Sequence, residues 1–229
     1  MRTERSSPRR SWRRNPRAAI FGCSVTRSGP RSAHSILPLA VLEAMRKLDS
    51  PSDEEVAEYV DELLKKRLGL SATVAAQIGR YESVVRRDGV VSGEELEQVL
   101  RLASRRTDAA LVFSESGRGA ARRAMLRLSP FTRWSARHLP RPIGRAIGFR
   151  AVRSAAASVF DVELTRESGA VVGVAADALL VRATPDGTAC GFVGAGIAEL
   201  MRQLVDFDGI VVHARCAARG DERCEWRAE

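Results

Sequence analysis

Nowhere in this sequence do about 20 apolar residues run together, the length a membrane-spanning helix needs. The stretch AAIFG near the start is far shorter than the hydrophobic region of a secretory signal, roughly 7–15 residues. IFGC ahead of Ser24 likewise lacks the apolar stretch of a lipoprotein cleavage site. These absences lead to the expectation of a soluble, cytoplasmic chain with no membrane span. Histidine is scarce, with three residues in 229, and His34 and His138 have no evident carboxylate partner in the sequence. No nucleophile–base pair stands out, so no catalytic residue is assigned. Gly191, Gly194 and Gly196 do not make the dinucleotide fingerprint; they do not directly follow a strand, and their expected role is close helix packing. Cysteine is also sparse at four residues, and in a cytosolic chain a structural disulfide is the weaker interpretation of them.

What is abundant is arginine, and its placement matters more than its total. The formal charge is +9, but residues 1–33 hold nine arginines against Glu4 alone, about +8 of that charge. The remainder is nearly neutral, with acids gathered in DEEVAEYVDELLKKR and arginines between Arg101 and Arg153, a pattern of solvated helix faces. The basic pI therefore does not point to a specific nucleic-acid partner. Residues 1–33, rich in Arg, Ser, Pro and Gly without apolar periodicity, are expected to be disordered. They read either as a non-specific polyanion-binding tail or as a start placed too far upstream.

Residues 34–105 read as a helical segment. Pro38 sits near the start of ILPLAVLEAMRKL. Ser52 with Glu55 makes a capping box for a helix with the stripe Val56, Tyr59, Val60, Leu63 and Leu64. Ser71 can cap a helix carrying Val74, Ile78, Tyr81, Val84 and Val85 that closes at Gly89, and Ser92 with Glu95 opens another whose Leu96, Val99 and Leu100 face inward. No basic recognition face supports a helix-turn-helix here. SESGRGAARRAML, with two glycines, reads as a mobile loop followed by a helix, and PFTRWSARHLPRPIGRAIGFRAV as short helices broken at Pro140 and Pro142.

After Ala157 the period becomes two: Phe160, Val162 and Leu164 alternate with polar residues as in a half-buried strand. AVVGVAADALLVRA supplies one or two further elements. Cys190–Leu204 reads as a helix with Val193, Ile197, Leu200, Met201 and Leu204 toward a sheet, DGIVVHARC as a strand, AARGDER as a hairpin loop and CEWRAE as the returning edge. The fold class is α+β: N-terminal helices followed by an antiparallel sheet packed with helices.

Cys190, His213, Cys216 and Cys224 are candidate ligands of one tetrahedral zinc ion, drawn from a helix start, a strand and the opposing hairpin strand. Residues three apart on a regular strand face opposite ways, so His213 and Cys216 can share an ion only if the strand ends or bulges near Ala214–Arg215. A helix N-terminus favours a Cys190 thiolate. Three thiolates and a neutral imidazole around Zn²⁺ leave about −1, which Arg215, Arg219 and Arg223 would offset. Four protein ligands leave no vacancy for water, which makes the ion structural. The competing interpretation is that Cys190 and Cys216 are buried small residues.

ACGFVGAGIAEL followed by VVHARCAARGDERCEW resembles the 4-vinyl reductase domain, a small-molecule-binding family named after a bacterial bacteriochlorophyll biosynthesis protein. The family pattern is a Cys leading a Gly-rich helix, an acidic residue three positions before a Cys, a Gly-Asp turn, and a final Cys followed by an acid and an aromatic. The resemblance implies zinc at Cys190, Cys216 and Cys224 with Gly220–Asp221 as the turn; His213 stands where the family has Glu, and imidazole is an equally good ligand. It covers about residues 120–229, within a domain placed at 106–229, and leaves the helical segment at 34–105 unaccounted for. It implies a fold related to transport protein particle subunits and hence a homodimer. It also implies a zinc-stabilised module that binds or senses a hydrophobic small molecule. The pocket candidates are Phe149, Val152, Phe160, Val162, Leu179, Leu180 and Phe192. Two alternatives remain: an interaction protein dimerising through its helices, and a tetrapyrrole-related reductase or accessory factor.

Overall fold

The computed structural model describes residues 32–50, 68–167, 169–175 and 179–229. The basic tail up to residue 31, the Ser52–Glu55 capping box and the stripe from Val56 to Leu64 lie outside these residues. Ser32 and Ala33, expected within the disordered tail, instead belong to a short strand, β1 (Ser32–His34), antiparallel to β2 (Val90–Ser92).

Two of the N-terminal helices start at side-chain caps, at Ser71 and Ser92. Helix α1 (Ile36–Asp49) begins at Ser35, whose buried hydroxyl donates to the Gly89 carbonyl at 2.7 Å. Ser71 Oγ accepts from Val74 N at the head of α2 (Ala72–Arg86), and Ser92 Oγ accepts from Glu95 N at the head of α3 (Gly93–Ser104). The Glu95 carboxylate does not complete the box; it accepts from Tyr81 Oη at 2.8 Å and pairs with Arg80.

Helix α4 (Ala109–Arg127) corrects the mobile loop expected at SESGRGAARRAML: both glycines lie in one continuous helix. The sequence signal was misread because glycine usually interrupts helices, whereas here it serves helix contact. A Cβ on Gly117 would lie 2.1 Å from the Phe192 carbonyl oxygen of the last helix, and Ala120, Ala121 and Ala124 continue the small, buried face. Next come α5 (Pro130–His138), capped by Ser129, and α6 (Arg141–Ala155). The break falls at Leu139–Pro140. Pro142 sits inside the first turn of α6, where its missing N–H costs nothing, so it does not break a helix. A π-helical turn, Ala156–Phe160, ends at Asp161 in the left-handed region (φ 54°). Phe160 therefore belongs to this turn, and the strand it was expected to open starts at Val162.

The main sheet has four antiparallel strands, β3 (Val162–Glu167), β4 (Ala170–Ala175), β5 (Val211–Arg215) and β6 (Glu225–Ala228), in the order β3-β4-β6-β5. The terminal strand, expected as an edge, is thus internal, and β5 is an edge. Helix α7 (Leu179–Ala183) is short, and α8 (Cys190–Val205) lies between the sheet and α4. Gly194 of α8 faces the Trp226 ring and Ile197 meets Gly173 of β4. The class is α+β and mostly helical. One cluster of buried residues runs from Ile36 to Ala228, so the helices before residue 105 share a core with the elements after 106.

Across that core, Arg106 grips Asp49 with both terminal nitrogens (2.8 and 2.7 Å) and also binds Asp108, while Gly69 N donates to Asp49 Oδ2. Burial pushes the Asp49 carboxyl up, but the Arg106 and Gly69 hydrogen bonds outweigh it and hold it below the usual carboxylate range; Arg106 does the same for Asp108. A depressed folded-state value gives stability that is present above the unfolded value, about 3.9, and is lost as pH falls through the lower folded values. Asp49→Asn should therefore cost about 3 kcal/mol at pH 7. In acid titrations followed by circular dichroism, its melting temperature should converge with wild type once the pH drops below the carboxylate range.

Candidate metal centre

Cys190, His213, Cys216 and Cys224 come together. One ligand atom from each lies within 4.8 Å of every other, and the three cysteines are 0, 2 and 5% exposed. Each arrives by a different route. Cys190 is the first residue of α8, set by a tight approach in which Thr184 Oγ1 accepts from Ala189 N and Cys190 N donates to the Gly187 carbonyl. Cys224 immediately precedes β6, and Cys216 leads into a single 3-10 turn, Ala217–Arg219.

His213 meets the geometric condition that the spacing imposed. It pairs with Trp226, but Arg215 pairs with Glu225, so the β5–β6 register shifts between His213 and Arg215. That one-residue irregularity lets side chains three apart approach the same point. The turn beyond is held by Asp221, whose Oδ2 accepts from Cys216 N at 2.6 Å, and by Gly220 at φ 94°.

The donor set fits a metal on two counts. His213 Nε2 is buried and has no hydrogen-bond partner among the described residues, an orphaned atom that a metal would satisfy. Cys190 Sγ and Cys224 Sγ are 3.8 Å apart. Two thiolates at about 2.3 Å from a tetrahedral zinc are themselves separated by about 3.8 Å. A disulfide would need about 2.05 Å, and all three cysteines are free.

Burial, with the Arg219 guanidinium adding to it and Asp221 opposing, holds the His213 imidazole below its ordinary value and so in the neutral, ligating form. Burial pushes Cys190 far up, reinforced by Cys224 and Cys216, and burial pushes Cys224 up as well. A divalent cation reverses that balance by supplying the largest local charge. Of the three arginines expected to offset the site, Arg219 donates to the His213 carbonyl and Arg215 lies 3.9 Å from Glu225; Arg223 makes no ion pair among the described residues.

Three supporting residues escaped the sequence reading. Trp226 stacks on His213 (centroids 5.1 Å, planes 16° apart) and donates Nε1–H to the Cys190 carbonyl, so one side chain fixes two ligands. Its signal was the aromatic after the final Cys and acid. Asp221 was read only as a turn residue. Gly187, at φ 77°, leaves no room for a Cβ, which would come within 2.9 Å of Cys216 Sγ; it was hidden in TPDGT as an ordinary turn glycine.

No family model, curated protein or solved structure matches this chain. The site therefore has to be understood from its own geometry. Cys190, His213, Cys216 and Cys224 lie close enough to bind a metal ion, and their chemistry is compatible with zinc.

A cavity of about 760 Å³ opens beside α8. Of the pocket candidates, Phe160, Leu179, Leu180 and Phe192 line it, and Phe160 and Phe192 meet ring to ring at 5.6 Å. Phe149, Val152 and Val162 do not line it. Phe149 stands under the Arg166 guanidinium at 4.1 Å, Val152 is fully buried core, and Val162 begins β3 on the far side of Asp161 beside Arg150 and Arg153. The cavity instead recruits Leu37, Leu96 and Leu100 from the N-terminal helices, with Ser32, His34, Ser158 and Asp161 as its polar members. Alternation within a strand could not locate those residues, because only the packing of α1 and α3 against the domain creates the space. No helix among the described residues is long and apolar enough to cross a membrane.

Proposed function

We propose that the chain is a zinc-stabilised module that binds a hydrophobic small molecule and has a sensory or regulatory role. The observation that carries the reading is the position of Cys190, two residues before Phe192 and three before Val193, both of which line the cavity. A metal held by Cys190, His213, Cys216 and Cys224 ties the first turn of α8 to the β5–β6 hairpin, and so sets one wall of the binding space. The four-ligand, buried site leaves no open position, which suits a structural ion rather than a catalytic one. The cavity's volume falls in the range of small-molecule sites, roughly 300–1,000 Å³, and its mixture of leucine and phenylalanine walls with a few polar groups is the usual make-up of such sites.

Native mass spectrometry of freshly purified protein tests all parts together. The expected spectrum has one zinc per chain and an additional lipophilic mass, and it reads whether the chain pairs as a homodimer. Leu179→Trp, which fills the cavity, should remove the additional mass and leave the zinc. A chain carrying metal but unable to take up any apolar ligand would overturn the binding role; a metal-free chain would overturn the zinc assignment.

A further inference from the structure

Helix α5 is turned inside out. An amphipathic helix normally buries its apolar stripe, but Phe131 and Trp134 of α5 are 74% and 52% exposed, while the inward position is Ser135, 1% exposed with an unpartnered hydroxyl. Phe131, Trp134 and His138 follow the spacing i, i+3, i+7 on one face and stack in a row, with centroids 6.3 and 5.3 Å apart. Leu126, 70% exposed at the end of α4, shares with Trp134 a groove of about 380 Å³. Arg122, Arg133 and Arg137 line the same groove. From Arg118 to Arg153 the chain carries ten arginines, and between Glu115 and Asp161 no acidic residue at all. Arg118, Arg122, Arg123 and Arg127 are committed to Glu115, Glu199, Glu43 and Asp88, but Arg133, Arg137 and Arg141 make no ion pair among the described residues, Arg137 donating only to the neutral Gln203 amide. Arg133 Nε, in the groove, is buried and lacks any acceptor.

The surface therefore combines exposed aromatic rings with guanidinium groups that have no ion pair among the described residues. A second copy placed face to face on it would set these arginines against their own kind. A purely electrostatic polyanion site would not need Leu126 and Phe131 held out in solvent. Aromatic side chains beside arginines are what an anionic membrane interface recruits: rings enter the headgroup boundary while guanidinium groups meet phosphates, and stable attachment requires both signals.

We propose that α5 and its flanking arginines form a docking surface for the anionic face of a phospholipid bilayer. Phe131 and Trp134 enter the headgroup region, and Arg133, Arg137 and Arg141 engage lipid phosphates. The full-length chain is tested, because the arginines of residues 1–31 also attract anionic vesicles and the two contributions must be separated. In a Trp12→Phe background the remaining tryptophans are Trp134 and the buried Trp226. Brominated phosphatidylcholine vesicles containing phosphatidylserine should quench Trp134 emission, and vesicles without phosphatidylserine should not. Phe131→Ser/Trp134→Ser should lower partitioning into the anionic vesicles by roughly tenfold, and Arg133→Gln/Arg137→Gln by a comparable factor, both with unaltered circular dichroism. Partitioning unchanged in both variants would assign any vesicle binding to the N-terminal arginines and overturn the proposal. So would a dimer that becomes monomeric in the Phe131→Ser/Trp134→Ser variant, or duplex nucleic acid binding lost by the same substitutions without vesicle binding in wild type.

Discussion

Cys216→Ser is expected to release the metal and to lower the melting temperature by on the order of 10 °C or more. The reasoning starts from coupling: a structural ion bound only by the folded chain contributes its binding free energy to folding, about 10–16 kcal/mol for tetrahedral zinc at neutral pH. Loss of one thiolate forfeits several kcal/mol of this, and a chain of this size shifts by about 2–4 °C per kcal/mol. Cys216 is the informative ligand because it is buried and stands at the end of β5, where Asp221 accepts its backbone N–H. Serine keeps that hydrogen bond and nearly the same volume, so the substitution removes sulfur and little else. Zinc content by inductively coupled plasma mass spectrometry and melting by calorimetry should fall together. Metal content equal to wild type would mean that the cluster does not act as one site. Chelation of the wild-type chain should reproduce the variant's melting temperature, since both reach the same metal-free fold.

The cluster was legible in the sequence because its chemistry is carried by residue type, and cysteine and histidine are rare here. The spacing even stated the condition for convergence, a strand irregularity near Ala214–Arg215, and the register shift between His213 and Arg215 supplies it. What spacing could not reveal is the cause of that irregularity and the support around it. Asp221 and Gly220 fix the turn, and Trp226 braces two ligands from a strand that proves to be internal. Strand order is a property of the whole sheet, and no local pattern in CEWRAE distinguishes an edge from a centre. Caps were readable at Ser71 and Ser92 because they are local. The cavity was only half readable: Phe160, Leu179, Leu180 and Phe192 lie in the segment whose pattern was analysed, while Leu37, Leu96 and Leu100 reach it from the other end of the chain.

The longest misreading, at SESGRGAARRAML, leads to the second large effect. Gly117→Ala is expected to destabilise the chain by about 3 kcal/mol or more, while Gly191→Ala should be neutral or stabilise by up to about 1 kcal/mol. Both glycines are helical, so intrinsic propensity favours alanine at each. Their surroundings decide the sign. Around Gly191 nothing lies within 4 Å of an added Cβ, whereas at Gly117 that carbon would meet the Phe192 carbonyl oxygen at 2.1 Å and Gly196 N at 2.9 Å. Those are backbone atoms of α8 and cannot rotate away, so α4 and α8 must separate along their shared face. Separation moves α8, which carries both Cys190 and the cavity residues Phe192 and Val193. Gly117→Ala should therefore weaken uptake of an apolar ligand in addition to lowering stability. Urea unfolding of the two variants side by side is the measurement, and equal midpoints would show that α4 and α8 do not touch as closely as the Gly117 backbone implies. A helix opened by a mobile loop at residues 114–119 would tolerate both substitutions alike; a continuous helix packed backbone to backbone tolerates only one.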